Sequence, residues 1–401
     1  MTGKNGNVSK EIIVLVDSST PISELDGLAN KNNIQIITFD YCSHVSLQEK
    51  NIQHMISESY GDNTIVEKLQ HVCYSFLKWY ELELIKNNLQ FHDVIIPKLF
   101  TDQLWPSIVK IVKKFSEVRK IYERYPNSKY YATGDLLEII KIFTSSCLKF
   151  VFDIPEKLYF DEIELGIRLG RKELTFSMSK TSYYRIKRVG ETLLQLFVGH
   201  TVRQEKTELL IEFNTKNFES FLLEGKTQNK NILFYCRRRP AIWDFKSFMI
   251  IKRSNCALIV PHKLHHKNFF SEIDISYKQL VKQLSFVLQN DEQLYNFFRI
   301  DEISIWSVIK PKIKSLLENS MKDVIYEILL VRKMFETYRI NSVLVISEAG
   351  LTEQIVIKQA KHFGVKVFHL QEGLYFDTTE AYENERLQGV YPELEIGRAH
   401  V

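Results

Sequence analysis

The chain has 401 residues, 45% of them hydrophobic and 25% charged, and its 53 Lys and Arg against 49 Asp and Glu leave a formal net charge of only +4. That length allows two or three domains with a sizeable core, and the charge balance excludes a general polyanion binder, so no nucleic-acid partner is expected. Cys42, Cys73, Cys147, Cys236 and Cys256 are widely spaced without a CxxC pair, Met1 to Lys10 lacks a secretory apolar stretch, and no window reaches about 18 uninterrupted apolar residues. The expected location is cytoplasmic, at most peripheral to a membrane.

A strand at 12–17, a helix-favouring segment after Pro21 and a strand at 34–39 read as the start of a parallel α/β sheet. Helical patterns follow at about 64–89 and 107–124, the second bracketed by Pro106 and Pro126. Tyr130 to Ala132 makes a further short strand, and Thr133-Gly134-Asp135 opens a helix to about Leu148 with an acidic first turn. Two β-rich runs about Gly170, between 158 and 178, signal a hairpin. Helices are expected at about 182–199 and over Phe218 to Leu223. The polar stretch Gly225 to Lys230 is then the best boundary, giving one unit over 1–225 and a second over 229–394. In the second, strand 231–236, helix 241–253 and strand 256–260 suggest a Rossmann-type crossover. Long helices at about 276–297 and 303–338 lead to a strand at 342–346, a helix capped by Thr352 and ended by Gly364, and a strand at 365–370. The expected fold is α/β, with two Rossmann-like, doubly wound parallel-sheet units.

Four apolar, β-branched runs each end in a polar cluster. Glu11 to Val16 precedes Asp17-Ser18-Ser19-Thr20, and Asn231 to Cys236 precedes Arg237-Arg238-Arg239. Ser342 to Ile346 precedes Ser347-Glu348-Ala349-Gly350, and Val365 to Leu370 precedes Gln371-Glu372-Gly373. Open α/β sheets bind ligands beyond the carboxyl ends of their strands, which puts the chemistry in these clusters. The three arginines suit bidentate phosphate binding near a helix start; the other reading is a solvated basic turn paired with acids such as Asp244. Glu348 suits a base that takes a proton from an acceptor hydroxyl, with Ala349-Gly350 leaving room, or else an acid favoured by a helix dipole. Glu372 can bond sugar hydroxyls or act as base while Gly373 allows close approach, yet a strand-ending turn explains Gln371 to Gly373 equally well. Helix capping suffices for Asp17 to Thr20. His262, His265 and His266 lack a carboxylate or Cys nearby to complete a metal set, so no metal and no cofactor are expected.

Ile346-Ser347-Glu348-Ala349-Gly350, the helix ending Gln359-Ala360-Lys361-His362-Phe363-Gly364, and the strand running into Phe368-His369-Leu370-Gln371-Glu372-Gly373 resemble a known arrangement. It is the junction region of GT-B-type surface-polysaccharide glycosyltransferases and their relatives, the teichoic-acid glycerophosphotransferases and the nucleotide-sugar 2-epimerase-like proteins. The likeness covers residues 341–392 and, more weakly, 229–262, where Arg237 to Trp243 is similar to large polysaccharide-biosynthesis proteins; the first 225 residues carry little of it. Glu372 departs from the family, standing where its His usually sits.

The resemblance implies that the second unit is the amino-terminal half of a GT-B fold. The intact parent would transfer a sugar or sugar-phosphate from a nucleotide-activated donor to a glycan or lipid-linked acceptor in surface-polysaccharide biosynthesis. The nucleotide-sugar donor would be held mostly by a further carboxyl-terminal domain, so the fragment is expected to be inactive alone. Glu348 and Glu372 are then the catalytic candidates, and Arg237, Arg238, Arg239, Gln371 and Gly373 the ligand- and phosphate-binding ones. A nucleotide-sugar 2-epimerase-like enzyme and a non-catalytic scaffold of polysaccharide assembly are the alternatives. Glu395 to Val401 resembles the in-frame translation of a common sequencing-library adapter, so the natural sequence is expected to continue past Leu394.

Overall fold

The structure is a computed structural model that describes residues 12–25, 33–61, 66–150, 162–169, 172–198, 206–228, 230–254, 256–370 and 395–397. The chain divides into two units, one of residues 1–82, 101–157 and 287–317, the other of 83–100, 158–286 and 318–401. Each is built on a parallel sheet with helices around it, so the α/β, Rossmann-like reading holds for both.

The first unit contains β1 (Ile12–Val16), β2 (Ile34–Thr38), β3 (Met55–Ile56), β4 (Lys129–Ala132) and β5 (Cys147–Lys149). They pair in parallel in the order β3-β2-β1-β4-β5. Val14 and Val16 on β1 and Ile36 on β2 share a core with Leu25, Leu47 and Phe150. Helix α1 (Thr101–Arg124) starts earlier than its pattern suggested and takes Pro106 inside its second turn. It buries Leu104, Ile108, Ile111, Phe115 and Val118 along one stripe. Helix α2 (Gly134–Phe143) stops short of Leu148 because Cys147–Lys149 pairs with β4 instead.

The second unit opens with an antiparallel hairpin, β6 (Glu162–Leu169) and β7 (Lys172–Ser179), followed by α3 (Lys180–Val198). Its sheet is built from β8 (Thr207–Ile211), β9 (Asn231–Tyr235), β10 (Cys256–Leu258), β11 (Ile340–Val345), β12 (Lys366–Leu370) and β13 (Glu395–Gly397). Between the strands run α4 (Glu219–Thr227), α5 (Phe245–Arg253), α6 (Trp306–Thr337) and α7 (Leu351–His362). All pairs are parallel, in the order β10-β9-β8-β11-β12-β13. Counted within the unit this is 3-2-1-4-5-6, a doubly wound sheet whose order reverses between β8 and β11.

Strand β8 has no counterpart in the sequence reading. Only Leu209, Leu210 and Ile211 are apolar, between Glu208 and Glu212, so the run is too short to stand out. Its central place in the sheet also draws 206–225 into the second unit. The expected boundary at 225–230 therefore falls inside that unit: Gly225 is buried in α4, and a Cβ there would lie 2.5 Å from Ile232 Cδ1 on β9.

Register fixes the faces. Leu210 lies beside Phe234 and Leu344, and Phe234 beside Leu258, so these side chains point one way. They pack with Leu222 of α4 and Ile250 and Ile251 of α5. Tyr235 points to the other face. Ile211 is level with Tyr235 and Val345, and Val345 with His369, so β8, β9, β11 and β12 end in one row at the carboxyl edge. Among the described residues no helix is long and apolar enough to cross a membrane.

Candidate functional site

The carboxyl edge of the second sheet carries a network of buried charges. Directly after β8, Glu212 has φ 56, a left-handed conformation that costs a non-glycine residue on the order of 1–2 kcal/mol. Its side chain offsets this by accepting two backbone hydrogen bonds, from Arg237 N at 2.5 Å and Arg238 N at 2.8 Å. Burial pushes the Glu212 carboxyl up, against the pull of those amides and of the Arg238 guanidinium. The amides that a phosphate would seek after β9 are thus occupied by an internal carboxylate.

Arg237 turns to the face of Tyr235. Its guanidinium lies 3.3 Å from Glu327 Oε2 and 3.8 Å from Asp323 Oδ2 on α6, over the ring of Tyr184 at 5.6 Å. Glu327 is fully buried and is held by three further bonds: the Tyr235 hydroxyl donates to both carboxylate oxygens at 3.0 Å, and Thr352 Oγ1 donates to Oε1 at 3.0 Å. Burial alone would lower the Arg237 pKa, but Glu327, Tyr184 and Tyr235 outweigh it and raise it.

Arg238 crosses to α7, where its Nη2 donates to Glu353 Oε1. Glu353 is fully buried, and burial, reinforced by Glu212, pushes its carboxyl up to about 7 despite Arg238. Its Oε2 accepts no hydrogen bond among the described residues. Gly350, the residue before α7, makes room for this carboxylate, since a Cβ there would lie 2.1 Å from Oε2.

Beside this network lies a cleft of about 640 Å³, within the range of small-molecule sites. Its wall carries the cations Arg185 and Lys187 of α3, Arg237, and Lys322 of α6, the acids Glu191, Asp323 and Glu327, and apolar and aromatic surface that includes Tyr184, Val260 and Phe270. Lys187 Nζ donates to Glu191 Oε1 at 2.5 Å and to the Cys236 carbonyl at 2.7 Å. Comparison with family models, curated proteins and solved structures gives no match.

The sequence-derived candidates separate at this edge. Arg237 lines the cleft, Arg238 is tied to Glu353, and Arg239 is exposed. None stands at a helix start, because α5 begins only at Phe245 and is capped by a box between Asp244 and Ser247. Nor does Asp244 pair with the triplet: its carboxylate meets Lys216. Glu348 emerges on the same edge and lies 3.4 Å from His369 Nδ1 of β12. The residue preceding α7 is Gly350 and not Thr352, whose hydroxyl is engaged with Glu327. Gln371, Glu372 and Gly373 lie outside the described residues. His265 bonds Tyr326 at 3.1 Å and His266 lies 3.3 Å from Glu272; among the described residues no group of three His, Cys, Asp or Glu is placed to hold a metal.

Sequence reasoning missed Glu212, Glu327, Glu353, Lys187 and Glu191. A signal existed for one pair only, Lys187 and Glu191, whose i,i+4 spacing places them on one helix face. The loop after β8, Glu212 to Phe218, contains no glycine, so this Rossmann-like unit lacks the usual phosphate loop at its first turn.

Proposed function

We propose that the second unit is the acceptor-side half of a glycosyl-transferring enzyme of surface-polysaccharide biosynthesis, similar to the GT-B type. The observation that carries the reading is a ligand-sized cleft at the carboxyl edge of a parallel sheet ordered 3-2-1-4-5 over β8 to β12, with Arg237 in its wall. The likeness of residues 341–392 to the junction region of that family adds to it. Inverting transfer needs a group to take the acceptor hydroxyl proton, and Glu348 beside His369 offers a carboxylate and an imidazole at the same sheet edge.

In this reading Arg237 contributes a fixed positive field and not a mobile clamp, because Glu327 and Asp323 already orient it. The test supplies nucleotide sugars and a lipid-linked glycan acceptor to the protein together with its expected downstream sequence, and reads products by mass spectrometry. A glycosylated acceptor, lost in Glu348→Gln, supports transfer. An isomerised sugar still on its nucleotide assigns the chemistry to the epimerase-like alternative, and neither product under conditions where both substrates bind leaves the scaffold.

A further inference from the structure

Helix α3 is amphipathic with its faces exchanged. The side turned to the sheet edge is polar: the Tyr183 hydroxyl donates to the Arg238 carbonyl at 2.6 Å, the Arg237 guanidinium lies over Tyr184, and Lys187 donates to Glu191 and to the Cys236 carbonyl. The opposite side is apolar. Ile186, Val189 and Leu193, spaced i, i+3 and i+7, are 62%, 61% and 54% exposed. A surface helix ordinarily buries such a stripe. Here the backbone carbonyls beyond β9 need donors, so Tyr183 and Lys187 face inward, and the helical period then carries the apolar stripe outward.

A second apolar feature stands at the same edge. The loop after β9 continues to Trp243 and Phe245, 57% and 77% exposed, at the start of α5, and α3 packs against α5. Single exposed apolar side chains are ordinary; a three-residue stripe on one helix with two exposed aromatic rings on its neighbour marks an interaction surface.

Charge selects the occupant. Arg185 is exposed next to the stripe, and Arg239 is exposed in the loop that leads to Trp243. The acids close to these rings, Asp244 and Glu219, pair with Lys216 and Lys246, which leaves the arginines in excess among the described residues. A second copy would bring the same cations face to face. A lipid surface with anionic headgroups matches both the apolar stripe and the charge.

We propose that the second unit docks on an anionic membrane surface, with Ile186, Val189 and Leu193 of α3 and the rings of Trp243 and Phe245 entering the headgroup boundary and Arg185 and Arg239 meeting lipid phosphates. Helix α3 lies in the interface and does not span it. The inference goes beyond the proposed function and does not use it, since docking needs neither a ligand in the cleft nor transfer.

The test sediments the full chain with vesicles of phosphatidylcholine alone and of phosphatidylcholine with an equal part of phosphatidylglycerol, and checks the fold of each variant by circular dichroism. Binding is expected on the mixed vesicles, weakening as salt rises. Exchanging Ile186, Val189 and Leu193 together for Gln should weaken it by about a hundredfold or more, and Trp243→Ala by about tenfold. Arg185→Gln and Arg239→Gln should each weaken it by about fivefold on the mixed vesicles alone. Brominated acyl chains should quench tryptophan emission, and Trp243→Phe should remove most of that quenching, because Trp79 and Trp306 are buried. Should the triple exchange fail to fold, Leu193→Gln and the quenching still decide. No binding to mixed vesicles, equal binding to both kinds, or binding unchanged in the folded stripe variant would overturn the proposal. A concentration-dependent dimer that the same exchanges abolish, without vesicle binding, assigns the stripe to a second copy and overturns it too. A glycosylated acceptor formed without vesicle binding overturns docking alone, and vesicle binding without any product overturns the transfer reading alone.

Discussion

The two sheets share the strand order 3-2-1-4-5, yet their carboxyl edges are finished in opposite ways. In the first unit short side chains close the point where the order reverses, between β1 and β4. Asp17 Oδ1 accepts from Ser19 N at 2.9 Å and Ser19 Oγ at 2.6 Å, and Lys114 Nζ donates to Oδ2 at 2.7 Å. Ser19 and Thr20 reach Thr133 at 2.8 and 3.0 Å. Gly134, at φ 50, brings the second loop close: a Cβ there would lie 3.0 Å from Ser19 Oγ. In the second unit the corresponding edge carries long charged side chains, Glu212, Arg237, Glu327 and Glu353, and a cleft lies beside them. Topology supplies a crevice in both; side-chain length decides whether it is filled.

That contrast makes the second edge the costlier one to disturb. The largest effect is expected for Glu327→Ala, which leaves the Arg237 guanidinium without its buried partner and should cost about 3–5 kcal/mol in denaturant unfolding. A cost under about 1 kcal/mol would mean that the network does not hold the edge together. Next comes a pH effect. The Glu353 carboxyl titrates near 7 in the folded chain against an ordinary value of 4.5, so the folded state binds the extra proton between them. Its contribution to stability is greatest below about pH 4.5 and is lost as pH rises through 7, by up to about 3 kcal/mol. Glu353→Gln should flatten this slope, seen as melting temperatures that converge at low pH and separate in favour of the variant above neutrality. The smallest effect belongs to the first edge: Thr133→Ala removes two hydroxyl contacts and should cost about 1 kcal/mol in the same unfolding measurement. A cost there as large as that of Glu327→Ala would erase the distinction between the edges.

Much of the frame was readable from local pattern. β1, β9 and β11 are mostly apolar runs with buried residues on both faces, and the polar clusters that follow them lie at carboxyl edges. Gly364 ends α7 at φ 67, the conformation for which glycine is suited. Where reading failed, the cause was a competing tertiary demand. β8 is short and flanked by acids, and becomes a strand because β9 and β11 pair with it on both sides. Thr352 looked like a helix cap, but its hydroxyl serves a buried carboxylate on another helix.

By itself the sequence determined the class of fold, most of its strands, and the edge along which charged residues gather, because burial of a parallel strand and the turn that follows it leave their mark within a few neighbouring residues. Only the tertiary structure decided which charges neutralise one another and which polar groups hold them: the Arg237 guanidinium meets Glu327, Arg238 meets Glu353 across 115 positions, and the Tyr235 hydroxyl reaches Glu327 across 92. Electrostatic partners are chosen by distance in space after the chain has folded, and no periodicity along the chain records that choice.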